Sequence, residues 1–140
     1  MIALDSSIIV AALLSWHEKH EPAAHAVETL LGSKTGAVIP AHALFESYAV
    51  TTRLPSPYRV SPADAFRLLK ENFREIRLAS LPVRSVWNVL QRLASEGLAG
   101  GLTYDAIILE TSIDSGAMQL LTLNERDYQR LNPTIRIVSV

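Results

Sequence analysis

The chain opens on Met1-Ile-Ala-Leu4 and meets Asp5 with no polar residue on the way. Three apolar residues in a row, Ile2 to Leu4, leave no face for water. They suit a strand covered on both sides, as the central strands of parallel sheets are, better than an edge or surface strand. The strand stops at Asp5, two small hydroxyl residues follow, and Ile8 to Leu14 reads as a helix opened by a Ser cap. A carboxylate at the carboxyl end of a central strand stands where open α/β sheets bind their ligands. A turn or cap residue would look the same, so its meaning depends on whether other acids reach that rim.

Composition limits the chemistry available there. At 140 residues, 49% of them hydrophobic, the chain suits one domain around one core. No apolar run approaches the ~18 residues of a membrane span, and no basic segment precedes the first apolar stretch. Neither a transmembrane helix nor a secretory signal is expected, and the expected location is the cytoplasm. Cysteine is absent, which excludes disulfides, thiolate zinc sites and cysteine nucleophiles and leaves oxygen and histidine for any metal. Net charge is −1, yet residues 53 to 92 hold eight Lys/Arg against three Asp/Glu, a surplus of +5 that leaves −6 elsewhere. An acidic part beside a basic part suits a site for cations and a polyanion; ordinary solvated helix faces carry such charges too.

The remaining elements follow in order. Trp16 to His25 is a polar linker leading into a helix that ends near Gly32; His17-Glu-Lys-His20 is one residue short of the His-Glu-x-x-His zinc helix, so its imidazoles read as linker residues. Ala37-Val-Ile39 is a second short strand, and Pro40 opens a helix to about Arg53. Ser61 as cap and Pro62 at the first turn start another helix, which runs to about Asn72. Glu75 to Ala79 alternates and reads as an edge strand. Pro82 to Glu96 is an amphipathic helix with Val86, Leu90 and Leu93 on one stripe, ended by Gly97. Thr103 caps a further helix with Asp105 in its first turn and Gly116 at its end. Gln119 to Leu123 is a fourth strand, Asn124 and Asp127 occupy the loop after it, and Ile135 to Val138 is a fifth, edge-like strand. There is no internal repeat and no second domain.

Glu46 stands out within the helix after Pro40. Between Ile39 and Thr52 the only ionisable side chains are His42 and Glu46, and at 100° per residue Ala43, Ala49 and Val50 share the face of Glu46. A carboxylate along an apolar face is costly unless paired, hydrogen-bonded or bound to a metal. His42, one turn earlier, reads as a helix-start residue within reach of the same place.

The order β-α-α-β-α-α-β-α-α-β-β predicts an α/β fold: a single three-layer domain, with a mainly parallel five-stranded sheet flanked by helices. Asp5 and the loop holding Asn124 and Asp127 then share one rim, and helices leaving that rim carry Glu46 and Asp105 near their starts. Like charges this close repel and raise one another's pKa, an arrangement that makes sense around Mg²⁺ or Mn²⁺. Hard cations prefer carboxylates, water and phosphate oxygens, and they can activate a water against a phosphodiester.

On these residues the chain resembles the PIN-domain ribonucleases, and among them the VapC-type toxins of toxin–antitoxin pairs. Ile2-Ala-Leu-Asp5-Ser-Ser is similar to the family's opening strand and first acid, and Ile39-Pro-Ala-His-Ala-Leu-Phe-Glu46 to its second. Leu102-Thr-Tyr-Asp105-Ala-Ile-Ile and Leu120-Leu-Thr-Leu-Asn124-Glu-Arg-Asp127-Tyr are similar to its third and fourth. The resemblance implies a metal-dependent endoribonuclease whose catalytic acids Asp5, Glu46 and Asp105 hold Mg²⁺, with Asp127 or Asn124 completing the site. Asn124 stands where many relatives have Asp, and its neutral amide is the weaker ligand. Ser7 and Thr122 are assigned to orienting Asp5 through hydrogen bonds. The resemblance also implies an RNA substrate, a homodimer and a small antitoxin protein that blocks the site.

Two other readings fit parts of the pattern. A receiver-like signalling domain also places an Asp at a strand end, but this chain lacks the paired acids of its first strand and the Lys of its last. A non-catalytic PIN-like domain would bind RNA or protein without cutting. If the acids cluster, Asp5→Asn or Asp105→Asn is expected to leave metal-free stability equal or higher, and Arg53 and Arg84 are expected to guide RNA.

Overall fold

Five short strands, β1 (Ile2–Leu4), β2 (Ala37–Pro40), β3 (Arg77–Ala79), β4 (Gln119–Leu121) and β5 (Arg136–Val138), form one sheet in the order β3-β2-β1-β4-β5. The computed structural model describes residues 1–140. Every pairing is parallel, with Ala3 opposite Val38 on one side and Leu120 on the other. Such pairing forces long crossovers. Helices α1 (Ser6–Leu13) and α2 (His20–Leu31) join β1 to β2, and α3 (Ala41–Thr52) and α4 (Pro62–Phe73) join β2 to β3. The chain then crosses back through α5 (Val86–Ser95) and α6 (Leu102–Asp114) to β4, and α7 (Glu125–Gln129) leads to β5.

The chain therefore lays strands outward from β1 in one direction and later from β4 in the other. The crevice between β1 and β4 is the topological switch point, where ligands of open α/β sheets bind. A receiver-like domain has the order 2-1-3-4-5, so this sheet removes that alternative.

Burial follows the apolar runs. Ala3, Leu4, Val38, Ile39 and Leu120 are wholly inaccessible to solvent, with Ile8, Ile9 and Ala43 from the helices packed over them. The outer strands expose Arg77, Leu78 and Arg136, as edge strands do. The linker histidines have structural partners: His20 Nδ1 lies 2.9 Å from the Ala11 carbonyl and ties α2 to α1, and His17 Nδ1 accepts from the Lys19 amide.

Several local details differ from expectation. No side chain caps α1; Ser6 and Ser7 lie inside its first turn and point at carboxylates instead. Pro40 ends β2 and is also the N-cap of α3, so it opens that helix from the cap and not from its first turn. Gly101, not Thr103, stands at the N-cap of α6, because the helix already begins at Leu102. Ser61 does cap α4, accepting from the Asp64 amide. A short 3₁₀ turn at Val83–Ser85 precedes α5, and along α5 Val89 and Leu93 face the core while Val86 and Leu90 stay exposed. Where the sequence predicts only a loop after β4, α7 forms, anchored by fully buried Tyr128 and by Leu131.

Candidate active site

Asp5 ends β1 with its amide bonded to the Leu121 carbonyl at 3.0 Å, so the ladder to β4 holds the residue in place. Its side chain is 1% exposed. A buried carboxylate must find donors, and four hydroxyls surround this one. Ser7 and Thr122 donate to Oδ2 at 2.6 and 2.7 Å, and Tyr128 donates to Oδ1 at 2.8 Å, with the Ser6 hydroxyl at 3.4 Å. Direction follows from proton counting. Ser7 Oγ accepts from the Leu123 amide and Thr122 Oγ1 from the Asn124 amide, both at 2.9 Å, which leaves each hydroxyl proton for Asp5.

Ser6 links two acids. Its hydroxyl donates to Glu46 Oε1, and that single proton is then unavailable to Asp5. Glu46 Oε2 lies 3.6 Å from Nε2 of His42 one turn earlier on α3. The His42 ring stacks on Tyr104 of α6, with centroids 5.2 Å apart and planes 6° from parallel. The stack spans from one wall of an open cavity to the other.

That cavity measures about 1000 Å³. Along α3 it is lined by His42, Phe45, Glu46 and Arg53; opposite stand Gly101, Tyr104 and Asp105, with Asp127 and Arg130 of the α7 region. Asp105 is half-buried, and its carboxyl is pushed up to about 7 by burial first and then by the charges of Asp5, Glu46 and Asp127. Asp105 thus feels the acids of the other three motifs. Burial, followed by the charge of Asp5, also drives the Tyr128 phenol well above its ordinary range.

The acids are not equivalent in placement. Asp5 lies beneath the cavity surface, whereas Glu46, Asp105 and Asp127 line it. Asn124 is exposed at the start of α7, makes no cap bond with its side chain and does not line the cavity. Tyr128 and Ser6 emerge as site residues that sequence reasoning did not single out. The apolar pair Tyr128 and Leu131, one turn apart, was the available signal for the first.

As they stand, no three Asp, Glu or His side chains form a group that could hold a metal ion. The donor set nonetheless fits one. All the groups are carboxylate oxygens, the hard ligands that Mg²⁺ and Mn²⁺ prefer, and the repulsion that lifts Asp105 is what a divalent cation relieves.

Comparison with known proteins agrees with this geometry. A PIN domain family model matches residues 2–132. Ribonuclease VapC40 of Mycobacterium tuberculosis is 37% identical over 142 aligned positions, covering 99% of this chain and 100% of that one. Among solved structures, VapBC2 from Rickettsia felis, bound to a DNA fragment from its promoter, matches with a TM-score of 0.73 at 19% identity, over 100% of this chain and 99% of the other. Mycobacterium tuberculosis VapC20, a sarcin-ricin loop cleaving toxin, matches with a TM-score of 0.73 at 12% identity, over 92% and 94%. With a parallel sheet that brings its acids to one switch point, and a family model that spans nearly its whole length, the chain belongs to the PIN domain family.

Proposed function

We propose that this protein is a divalent-metal-dependent endoribonuclease, the toxin of a toxin–antitoxin pair. The observation that carries the reading is Asp105, lifted to about 7 on the wall of an open cavity by burial and by three other acids. The name of VapC40, a ribonuclease similar over the full chain, supports it. Asp5, Glu46, Asp105 and Asp127 would hold Mg²⁺ or Mn²⁺, with Asn124 the less suited candidate for the fourth position. When bound, such an ion supplies charge that activates water and steadies a phosphodiester under attack.

The protein's own groups prepare that step. Ser7, Thr122 and Tyr128 fix Asp5 and leave it one orientation. Ser6 holds Glu46 against the same centre. Asp105, its carboxyl pushed up to about 7 by burial and the neighbouring acids, would exchange its proton for the ion it helps to hold. A cognate antitoxin protein belongs to the same reading, supported by similar solved structures that are VapBC assemblies, and self-association into a homodimer is proposed with it. So does a cytoplasmic location; no helix is long and apolar enough to cross a membrane.

Purified, antitoxin-free protein is expected to cut total cellular RNA into discrete fragments with Mg²⁺ or Mn²⁺ and not with chelator, and Asp105→Asn is expected to be inert. Intact RNA with well-folded wild-type protein would overturn the reading in favour of a non-catalytic PIN-like binding domain.

A further inference from the structure

We propose that Arg53 and Arg130 form a phosphate subsite that holds the single-stranded RNA flanking the cleaved bond. This inference rests on the endoribonuclease reading. Both arginines line the cavity that contains Glu46, Asp105 and Asp127, one on the α3 wall and one at the end of α7.

Their guanidinium groups are free. Arg67, Arg74, Arg84 and Arg92 are engaged by carboxylates, while Arg59 and Arg77 donate to the carbonyls of Leu54 and Ser115. Arg53 and Arg130 have no side-chain hydrogen bond and no ion pair, although Asp127 precedes Arg130 by one turn. Exposed cations left unpaired beside four acids are placed for an anion that comes from outside.

The spacing suits a strand running past the acids. Arg53, the C-cap of α3, follows Glu46 by seven residues, about two turns and about 10 Å along the helix axis. An acidic centre by itself repels a polyanion, so a substrate carrying one charge per nucleotide needs cations on the flanks. Guanidinium provides the planar fork that pairs with phosphate oxygens. Phe45 and Tyr104, both more than half exposed, line the same cavity and offer flat faces to unstacked bases. Bases are free to stack in this way only in a single strand.

The test is fluorescence anisotropy with a short labelled single-stranded oligoribonucleotide, in chelator so that no metal-dependent cutting occurs, across a salt series. Wild type is expected to bind at low salt. Arg53→Ala and Arg130→Ala are each expected to weaken binding about five- to tenfold, and the double variant to lower the salt slope by about 0.7 for each phosphate it no longer neutralises. Arg67→Ala, on α4 away from the cavity, is the control and is expected to bind as wild type does. A neutral methylphosphonate walked along the strand is expected to weaken wild-type binding at one or two linkages and double-variant binding at none. A folded double variant with wild-type affinity and slope, or a wild type that does not bind in chelator, overturns the subsite. Adding Mg²⁺ to the same strand separates the two readings, since arginine-dependent binding without cleavage defeats the nuclease and leaves the subsite standing.

Discussion

The phenol of Tyr128 donates to Oδ1 of Asp5 at 2.8 Å, joining residues 123 positions apart. Tyr128 is wholly buried, so Phe would keep its packing and remove only the donor. Oδ1 would then have only the longer approach of Ser6, whose proton is committed to Glu46. Tyr128→Phe is expected to cost about 1–2 kcal/mol and to slow cleavage while leaving the fold intact. Thermal melts in chelator and single-turnover cleavage check both, and an unchanged melt would show that the bond contributes nothing.

Asp5 and Asp105 are expected to respond oppositely to neutralisation. Asp5 accepts hydroxyl protons on both oxygens, and an Asn amide would present a donor to one of them. Asp5→Asn is therefore expected to destabilise by about 1–3 kcal/mol, which reverses the expectation drawn from clustering alone. Asp105 is held up by burial first and by the neighbouring acids second, and both penalties fall on its charged form, so Asp105→Asn is expected to stabilise the metal-free protein by about 1–2 kcal/mol, allowing for the water that reaches a half-buried group. Melts in chelator that moved in the same direction for both variants would contradict this.

The Asp105 contribution also has a pH signature. Its carboxyl titrates near 7 in the folded protein and at 3.8 ordinarily, so between those values the folded state keeps a proton the unfolded chain has lost. Metal-free stability from this group is therefore greatest below 3.8, falls as pH rises through the window, and levels above 7. The advantage of Asp105→Asn over wild type should be near zero at about pH 4 and largest at about pH 8. Mg²⁺ or Mn²⁺ should raise the wild-type melting temperature more at about pH 8 than at about pH 5, because the ion competes with the proton.

Arg84 marks where the basic stretch parts from the site. Its guanidinium pairs with Asp114 at 2.7 Å, at the opposite end of α6 from Asp105. Arg84→Ala is expected to leave RNA binding and its salt dependence unchanged and to cost under about 1 kcal/mol, as exposed ion pairs do. A drop in RNA affinity equal to that of Arg53→Ala would restore a broad basic face as the RNA guide.

What was legible in the residues and what was hidden divide along physical lines. β1 and β2 were readable because strands buried on both faces must be apolar throughout, and β4 because Leu120 and Leu121 continue that pattern after Gln119. Glu46 and Asp105 were readable as charges in apolar or helix-start surroundings. The phase of α5 was not, since Val86, Val89, Leu90 and Leu93 are all apolar and only tertiary packing selects Val89 and Leu93 for the core. Helix α7 spans five residues, too few to display a period. Ser6 and Thr103 looked alike as cap residues; only tertiary packing decides whether such a hydroxyl serves a backbone amide or, as Ser6 does, a distant carboxylate.

The pairing of β1 with β4 has a consequence in time. Thr122 and Tyr128 follow Asp5 by 117 and 123 residues, so a ribosome releases Asp5 well before them. Until they emerge the acid has Ser7, but neither β4 nor the hydroxyls of Thr122 and Tyr128 to hold it. Under the proposed function, the nascent chain would thus carry an unassembled site beside its own template until β4 and α7 have left the tunnel.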